Sequence, residues 1–512
     1  MIPGAFILDG FVKSPSAALR FILRHCGVLR FKELDSSPAC TSKGVVGKAY
    51  GDPKEAALNR DICRPRFSDR GMGIFFKGAP MNTVPAPKEY KLSTFSTYSI
   101  FTLLFLLYFF DYVDRMIVTS LFPYIQKEWG LTDTESGLLV SVVYWSIVAF
   151  VFPVSILVDR WSRKKTIAFM ALIWSLATLL CAFTKSFPQL LLARSGIGIG
   201  EAGYAPAGTA MLSGLFPPEK RSRMMGLWNM SIPLGIAVGI AVGGFVAQHW
   251  GWRHAFGLVA LPGAIAAILF LFVKDYKTVD LVKTVGSSGM ESQKVKMSKK
   301  DIFLEFIHTP SLILTNLGFI GCIFVNNAII VWLPTYLHRV EGISMTEAGT
   351  KVGAIMLLAI IGLPVGGWLT DVWFKRKVTS RMLFPSLTIA LNAVVIFAAF
   401  SFLGGKAQYL MLLLMGVLAS MFAPAAIIVT QEVIHPGLRA VSYSICVVVQ
   451  NLFGASMAPI VIGALSDAYG IKPAMSILPL FLLASALLFF TGSSFYRRDL
   501  DKVEKIPLQI ED

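Results

Sequence analysis

The sequence predicts an all-α polytopic membrane protein, with twelve transmembrane helices in two parallel-repeat halves of six. Three observations carry that prediction. Of the 512 residues, 55% are hydrophobic and only 15% charged, at a mean hydropathy of +0.64. Soluble domains average about 25% charged residues, so a soluble multidomain enzyme is excluded, and so is a disordered or fibrous chain. Apolar runs of membrane-spanning length recur along most of the chain. A charged motif recurs once in each half.

The elements follow in order. Residues 1–90 form a polar leader, whose first 80 residues hold 13 Lys/Arg against 7 Asp/Glu. It lacks the 7–15-residue apolar core and small-residue cleavage site of a secretory signal, and a transit peptide would be poorer in acids. Two readings stand for residues 1–80. One is an upstream extension, with translation beginning at Met81 or Met72; the other is a disordered cytoplasmic tail. A span needs about 20 mostly apolar residues to cross a core of about 30 Å. Such runs lie near 97–121, 137–157, 166–184, 188–213, 224–247 and 254–273, within a first half of 95–273. A polar linker, 274–308, follows. Six more lie near 311–336, 346–370, 382–403, 407–431, 440–464 and 473–495, within a second half of 309–497, before a tail of 498–512.

Basic residues cluster after the even-numbered spans. Arg160, Arg163, Lys164 and Lys165 follow span 2, Lys220, Arg221 and Arg223 follow span 4, and Lys375, Arg376, Lys377 and Arg381 follow span 8. The linker is rich in lysine, and the tail opens with Arg497 and Arg498. The odd loops offer little beyond Lys127, Lys185 and Lys406. The positive-inside rule therefore puts both termini in the cytoplasm of a cell bounded by this inner, or plasma, membrane. The formal charge of +16 divides into +6 for the leader and +10 elsewhere, mostly in these loops. It reads as topology and gating, with no nucleic-acid surface.

The repeat is specific. Span 2 ends in Ser155-x-x-x-Asp159-Arg160-x-x-Arg163-Lys164, and span 8 in Gly367-x-x-x-Asp371-x-x-x-Lys375-Arg376. Pro218-Glu219-Lys220-Arg221 after span 4 is echoed by Pro436-Gly437-Leu438-Arg439 after span 10. A helix-end Asp with nearby bases can bridge to the other half and close the cytoplasmic side in one state, so these residues form a candidate gate. The alternative is a plain topogenic loop. Parallel six-span halves describe the major facilitator superfamily, which the region 95–495 resembles.

The first half is similar to one branch more closely. Span 1 reads Asp111-Tyr112-Val113-Asp114-Arg115, and span 2 leaves through Asp159-Arg160-Trp161-Ser162-Arg163-Lys164. Span 4 reads Arg194-Ser195-Gly196-Ile197-Gly198-Ile199-Gly200-Glu201-Ala202-Gly203-Tyr204-Ala205-Pro206, and Trp250-Gly251-Trp252-Arg253 precedes span 6. Together these resemble the bacterial spinster-like branch and overlap with the anion:cation symporter branch. Asp111 departs from the usual Asn, as a second proton site or a lone acid facing water. Ser155 departs from the usual Gly.

Charged groups within a span cost at least about 2.5–3.5 kcal/mol each and mark a pathway by default. Asp114, Arg115, Arg194 and Glu201 are such groups. Arg194 and Glu201, seven apart, share one helix face. A crossed arrangement is expected, with each helix's carboxylate near the other's guanidinium; a structural ion-pair network is the alternative. The resemblance implies that Asp114 and Glu201 are proton-coupling carboxylates, and that Arg115 and Arg194 are partner and substrate-binding bases. Arg suits a carboxylate or phosphate through paired hydrogen bonds. Asn229, Asn326, Asn327, Gln450 and Asn451 either line a cavity or join helices, and Glu432 lies within reach of Arg439. Gly235-x-x-x-Gly239-x-x-x-Gly243 is a stripe for close helix packing.

The six cysteines show no CxxC pair and no spacing for zinc, and read as unpaired thiols. There is no GxxxxGK[ST] loop and no HExxH. No cofactor, metal or enzyme chemistry is expected. The expected function is a monomeric secondary active transporter, coupled to protons and working by alternating access on a small organic anion or anionic amphiphile. The alternative is a transporter-like receptor that binds such a ligand without moving it. On the late-start reading, mass spectrometry of the mature protein finds no peptide from residues 1–70; such peptides overturn it.

Overall fold

The computed structural model describes residues 93–160, 162–216, 218–273, 305–435 and 438–503. Residues 1–90 and nearly all of the 274–308 linker lie outside that set. The first half comprises α1 (Thr94–Trp129), α2 (Asp133–Arg160), α3 (Arg163–Cys181), α4 (Phe187–Glu201), α5 (Tyr204–Leu215), α6 (Pro218–Asn229), α7 (Ser231–Trp250) and α8 (Trp252–Leu271). The second comprises α9 (Pro310–Glu341), α10 (Met345–Phe374), α11 (Ser380–Ser401), α12 (Gly405–Met421), α13 (Ala423–Glu432), α14 (Arg439–Val449), a π-helical turn at Gln450–Ala455, α15 (Met457–Tyr469), α16 (Ile471–Ser476) and α17 (Leu478–Lys502).

Ten helical stretches among the described residues are long and apolar enough to cross a membrane. Spans 1 and 4, the other two runs that the sequence marks, are helical as well. Span 1 is the 36-residue α1, which buries Asp111, Asp114 and Arg115. Span 4 is divided between α4 and α5, of 15 and 12 residues. Local chemistry sets the ends. Ser93 caps α1 by accepting from the Ser96 amide at 3.2 Å, and Gly130 ends it at φ +65°, a conformation glycine adopts without strain. Ser162 and Ser344 cap α3 and α10 in the same way, accepting from the Lys165 and Glu347 amides.

Spans 4, 5, 10, 11 and 12 each interrupt the hydrogen-bond ladder for a residue or two while the backbone stays helical, which the apolar runs alone do not show. Each changes register at or next to the residue four before a proline. Helix α4 ends at Glu201 before Pro206, α6 at Asn229 before Pro233 and α12 at Met421 before Pro424. The π turn ends at Ala455 before Pro459, and α16 at Ser476 before Pro479. Proline offers no N–H to the carbonyl four residues back and crowds it, so the ladder opens there. Pro123, Pro153 and Pro364 sit inside unbroken helices, so a proline permits a break without dictating one. Spans 4 and 10 hold matching places in the two halves, so their breaks extend the repeat.

Glycine sets the seams. A Cβ on Gly235 would lie 2.6 Å from the Phe109 carbonyl oxygen, and one on Gly239 2.8 Å from that of Val113. The glycine stripe of span 5 is thus the face on which α7 meets α1 backbone to backbone, as its spacing implies. The opposite face of α7 meets α10 across the halves, where a Cβ on Gly349 would lie 2.8 Å from the Ile240 carbonyl oxygen. The second seam joins α2 to α15. Gly137 lies against the Pro459 carbonyl, and Gly463 against that of Asp133. Spans 5 and 8 meet along the first half of α10, from Met345 to Gly353.

Gly349→Leu is expected to hold α7 and α10 apart. Its measurement is modification of a cysteine placed at Ala237, whose methyl group now faces Gly353. Labelling should rise several-fold over the parent cysteine variant; unchanged labelling contradicts this packing account.

Candidate functional site

Five charged residues are enclosed in the first half. Asp111, Asp114, Arg115, Arg194 and Glu201 are between 0% and 8% exposed. Helical spacing and one helix break bring them together. Asp111 and Arg115 are four apart on α1 and so lie on one face. Glu201 is the last residue of α4, placed where Pro206 opens span 4.

Arg115 is the hub. Its Nη2 lies 2.7 Å from Glu201 Oε2 and 3.3 Å from Asp111 Oδ2. The Glu201 contact is a close ion pair without hydrogen-bond alignment, and neither Glu201 oxygen makes a hydrogen bond. The Arg115 guanidinium also lies 4.7 Å from the centre of the Tyr112 ring and 5.5 Å from that of Tyr144. Such contacts stabilise a desolvated cation. The Tyr144 hydroxyl donates to Asn327 Oδ1 at 2.9 Å, which ties this cluster to span 7 of the other half.

Arg194 meets backbone carbonyls in this structure. Nε donates to the Leu139 carbonyl at 3.0 Å, Nη1 to that of Asp114 at 3.2 Å and Nη2 to that of Arg115 at 3.1 Å. It joins α4 to α1 and α2 and is fully enclosed. The crossed arrangement is therefore half formed: Arg115 meets Glu201, whereas Arg194 meets the backbone of Asp114 and not its carboxylate. Neither Asp114 oxygen makes a hydrogen bond, and the nearby Thr178 hydroxyl is committed to the Trp174 carbonyl at 3.0 Å. Asp111 is 1% exposed, so the reading of a lone acid facing water is corrected.

The candidate cytoplasmic gate is described only in part. Asp371, Lys375 and Arg376 are exposed and make no side-chain bond among the described residues. Arg163 and Lys164 open α3, half-buried. The side chains of Asp159 and Arg160 lie outside the described set. Glu432 pairs with Arg381 and accepts from the Tyr496 hydroxyl at 3.1 Å, while Arg439 is exposed. The Glu432–Arg439 expectation is thereby corrected: an arginine fixed on α11 displaces the sequence neighbour. Asn229, Gln450 and Asn451 bond within their own helices, to Met225, Cys446 and Val447.

At the opposite end, where the odd-numbered loops emerge, a lock spans the halves. Arg339 Nη1 donates to Asp133 Oδ2 and Nη2 to Oδ1, both at 2.7 Å. Gln126 Nε2 donates to Asp133 Oδ1 at 2.7 Å, and Ser466 Oγ to Oδ2 at 2.6 Å. Asp467 accepts from the Asp133 and Thr134 amides at 2.8 and 2.9 Å, capping α2 from the other half. Below it, Trp145 Nε1 donates to Ser456 Oγ at 3.0 Å. Sequence reading missed this lock. Its members are single polar residues at span ends, and the partners are hundreds of positions apart.

Two six-span halves, sealed at one end over a buried charge cluster, have the architecture of a membrane transporter. The chain belongs to the Major Facilitator Superfamily, whose family pattern matches residues 104–459. Protein spinster homolog 1 of Xenopus laevis is 26% identical over 429 residues, 77% of this chain and 80% of that protein. The hexuronate transporter of Bacillus subtilis (strain 168) is 25% identical over 287 residues, 56% of this chain and 67% of that protein. A solved bacterial homologue of the human lysosomal transporter spinster, inward-facing and unoccupied, superposes with a TM-score of 0.69 at 21% identity, covering 80% of this chain and 99% of that one. The chain is thus a multi-pass membrane transporter of that superfamily, similar to spinster proteins and to the hexuronate transporter.

Arg194→Lys keeps the charge but cannot reach three carbonyls at once. Each lost bond to a charged group costs about 1.5–3 kcal/mol. A fall in unfolding temperature of several degrees is expected, with substrate affinity unchanged in the protein that folds. Weakened affinity at normal stability would return Arg194 to a substrate-binding role.

Proposed function

We propose that the chain is a proton-coupled secondary transporter, which moves a small organic anion or anionic amphiphile by alternating access as a monomer. The observation that carries this reading is the sharing of Arg115 between Glu201 and Asp111 at 2.7 and 3.3 Å. Three carboxylates and two guanidiniums enclosed in one half leave one negative charge in low dielectric. A single proton neutralises it, and so does withdrawal of one carboxylate toward water.

The coupling follows from competition for Arg115. An incoming carboxylate or phosphate that takes its donors displaces Glu201, and the freed carboxylate binds a proton instead of standing alone. Asp114, without a hydrogen bond, is the second carrier. Arg115 serves as the substrate base, since it keeps the largest exposure of the five, at 8%. Arg194 holds the frame on which the exchange occurs and remains a candidate for later contact.

On the positive-inside reading, the lock faces outward and both termini lie in the cytoplasm of an inner-membrane protein. That reading makes the conformation inward-facing, with Asp133–Arg339 closed and Asp371, Lys375 and Arg376 making no side-chain bond among the described residues; Asp159, Arg160, Arg163 and Lys164 are proposed to complete the cytoplasmic gate. The two gates alternate.

Proteoliposome uptake with an imposed pH gradient tests this. Accumulation should collapse with a protonophore. Glu201→Gln should abolish proton-driven accumulation while sparing counterflow exchange. Unchanged driven uptake would remove Glu201 from coupling, and ligand binding without flux would make the protein a receptor.

A further inference from the structure

A pocket of about 720 Å³ opens at the odd-loop end, wholly within the second half. It is lined by the end of α9, the start of α10, the loop before α12 and the start of α16. It shares no lining residue with the buried charge cluster. Its size falls in the range of ligand sites, which are about 300–1,000 Å³.

Its charges are unequally matched. Glu347 and Lys351 neutralise each other at 3.0 Å, and the Lys351 ammonium lies 5.6 Å from the centre of the Tyr409 ring. Lys406 and Lys472 line the same pocket with no ion partner among the described residues. Glu341, partly buried, lines it as well, with no ion partner among the described residues. Between these groups the wall is apolar, supplied by Val340, Ile343 and Leu403. Gln408 Nε2 donates to the Tyr336 hydroxyl at 3.0 Å, which fixes the wall below. Two free ammoniums, one unpaired carboxylate and an apolar wall complement a molecule that carries both charges on an apolar body.

We propose that this pocket is a second ligand site, for a small organic zwitterion. Its carboxylate meets Lys406 and Lys472, its ammonium meets Glu341, and its apolar body lies against Val340 and Leu403. The site does not rest on the proton-coupled reading above, because no residue is shared between the two.

The test is a ¹⁹F line-broadening titration of 4-fluoro-L-phenylalanine on the full-length protein in nanodiscs. It is run in an Arg115→Gln background, so that the central cation is absent. Saturable broadening is expected. Lys406→Gln with Lys472→Gln should weaken it about tenfold, as two partly exposed pairs would. Glu341→Gln should weaken the zwitterion but not 4-fluorophenylacetate, which lacks the ammonium. Gly404→Trp should block both probes, because a side chain there meets only open space. No saturable broadening at about 10 mM probe, an affinity no better than the weakest millimolar complexes, overturns the proposal. So does equal binding by the Gly404→Trp and double-lysine variants. Neither result touches pH-driven flux, which tests the other site.

Discussion

A guanidinium withdrawn from water must find its acceptors inside the protein, and Arg194 finds three carbonyls on two other helices. The bilayer enforces this, because nothing in its core can replace the missing water. By engaging the carbonyls of Asp114 and Arg115, Arg194 fixes the turn of α1 that carries the working charges. Arg115 is thereby aimed at Glu201, and Glu201 stands free to meet it because Pro206 ends α4 there. Two arginines that look equivalent in the sequence thus differ in space, one held by backbone carbonyls and the other by carboxylates.

The two ends of the molecule differ in how they hold together. At the odd-loop end, Asp133 gathers Arg339, Gln126 and Ser466, while Asp467 reaches from the opposite half to cap α2. Both carboxylates are used fully, which suits a contact made and broken as a unit. At the other end Asp371, Lys375 and Arg376 make no side-chain bond among the described residues.

Much of this was legible beforehand, for physical reasons. Span length follows from bilayer thickness, so the runs were visible without any contact information. Charges inside apolar runs stand out against a polar minimum, so Asp114, Arg115, Arg194 and Glu201 could be found singly. The glycine stripe of span 5 signalled close packing by its four-residue period. Partners were less legible. Spacing on one helix predicts that Arg194 and Glu201 share a face, but not that one takes backbone and the other a side chain. Glu432 has Arg439 nearby in sequence, yet Arg381, arriving from α11, is the nearer base in space. Asp133 and Arg339 carry no pattern, since an ion pair at the ends of two helices leaves no periodic trace. Helix breaks were partly legible: proline marks the places where one is allowed, and tertiary packing selects among them.

The glycine seams have a kinetic meaning. Where α7 meets α10, and where α2 meets α15, much of the contact is backbone against backbone, through Gly349, Gly353, Gly137 and Gly463. Glycine has no rotamers to freeze or release, so parting these surfaces changes side-chain entropy very little. Interlocked leucines would have to unlock together and would gain disorder on opening. A smooth seam therefore puts little of its hold in interlocked side chains and more in ionic contacts such as Asp133–Arg339. Such a seam is built like a bearing.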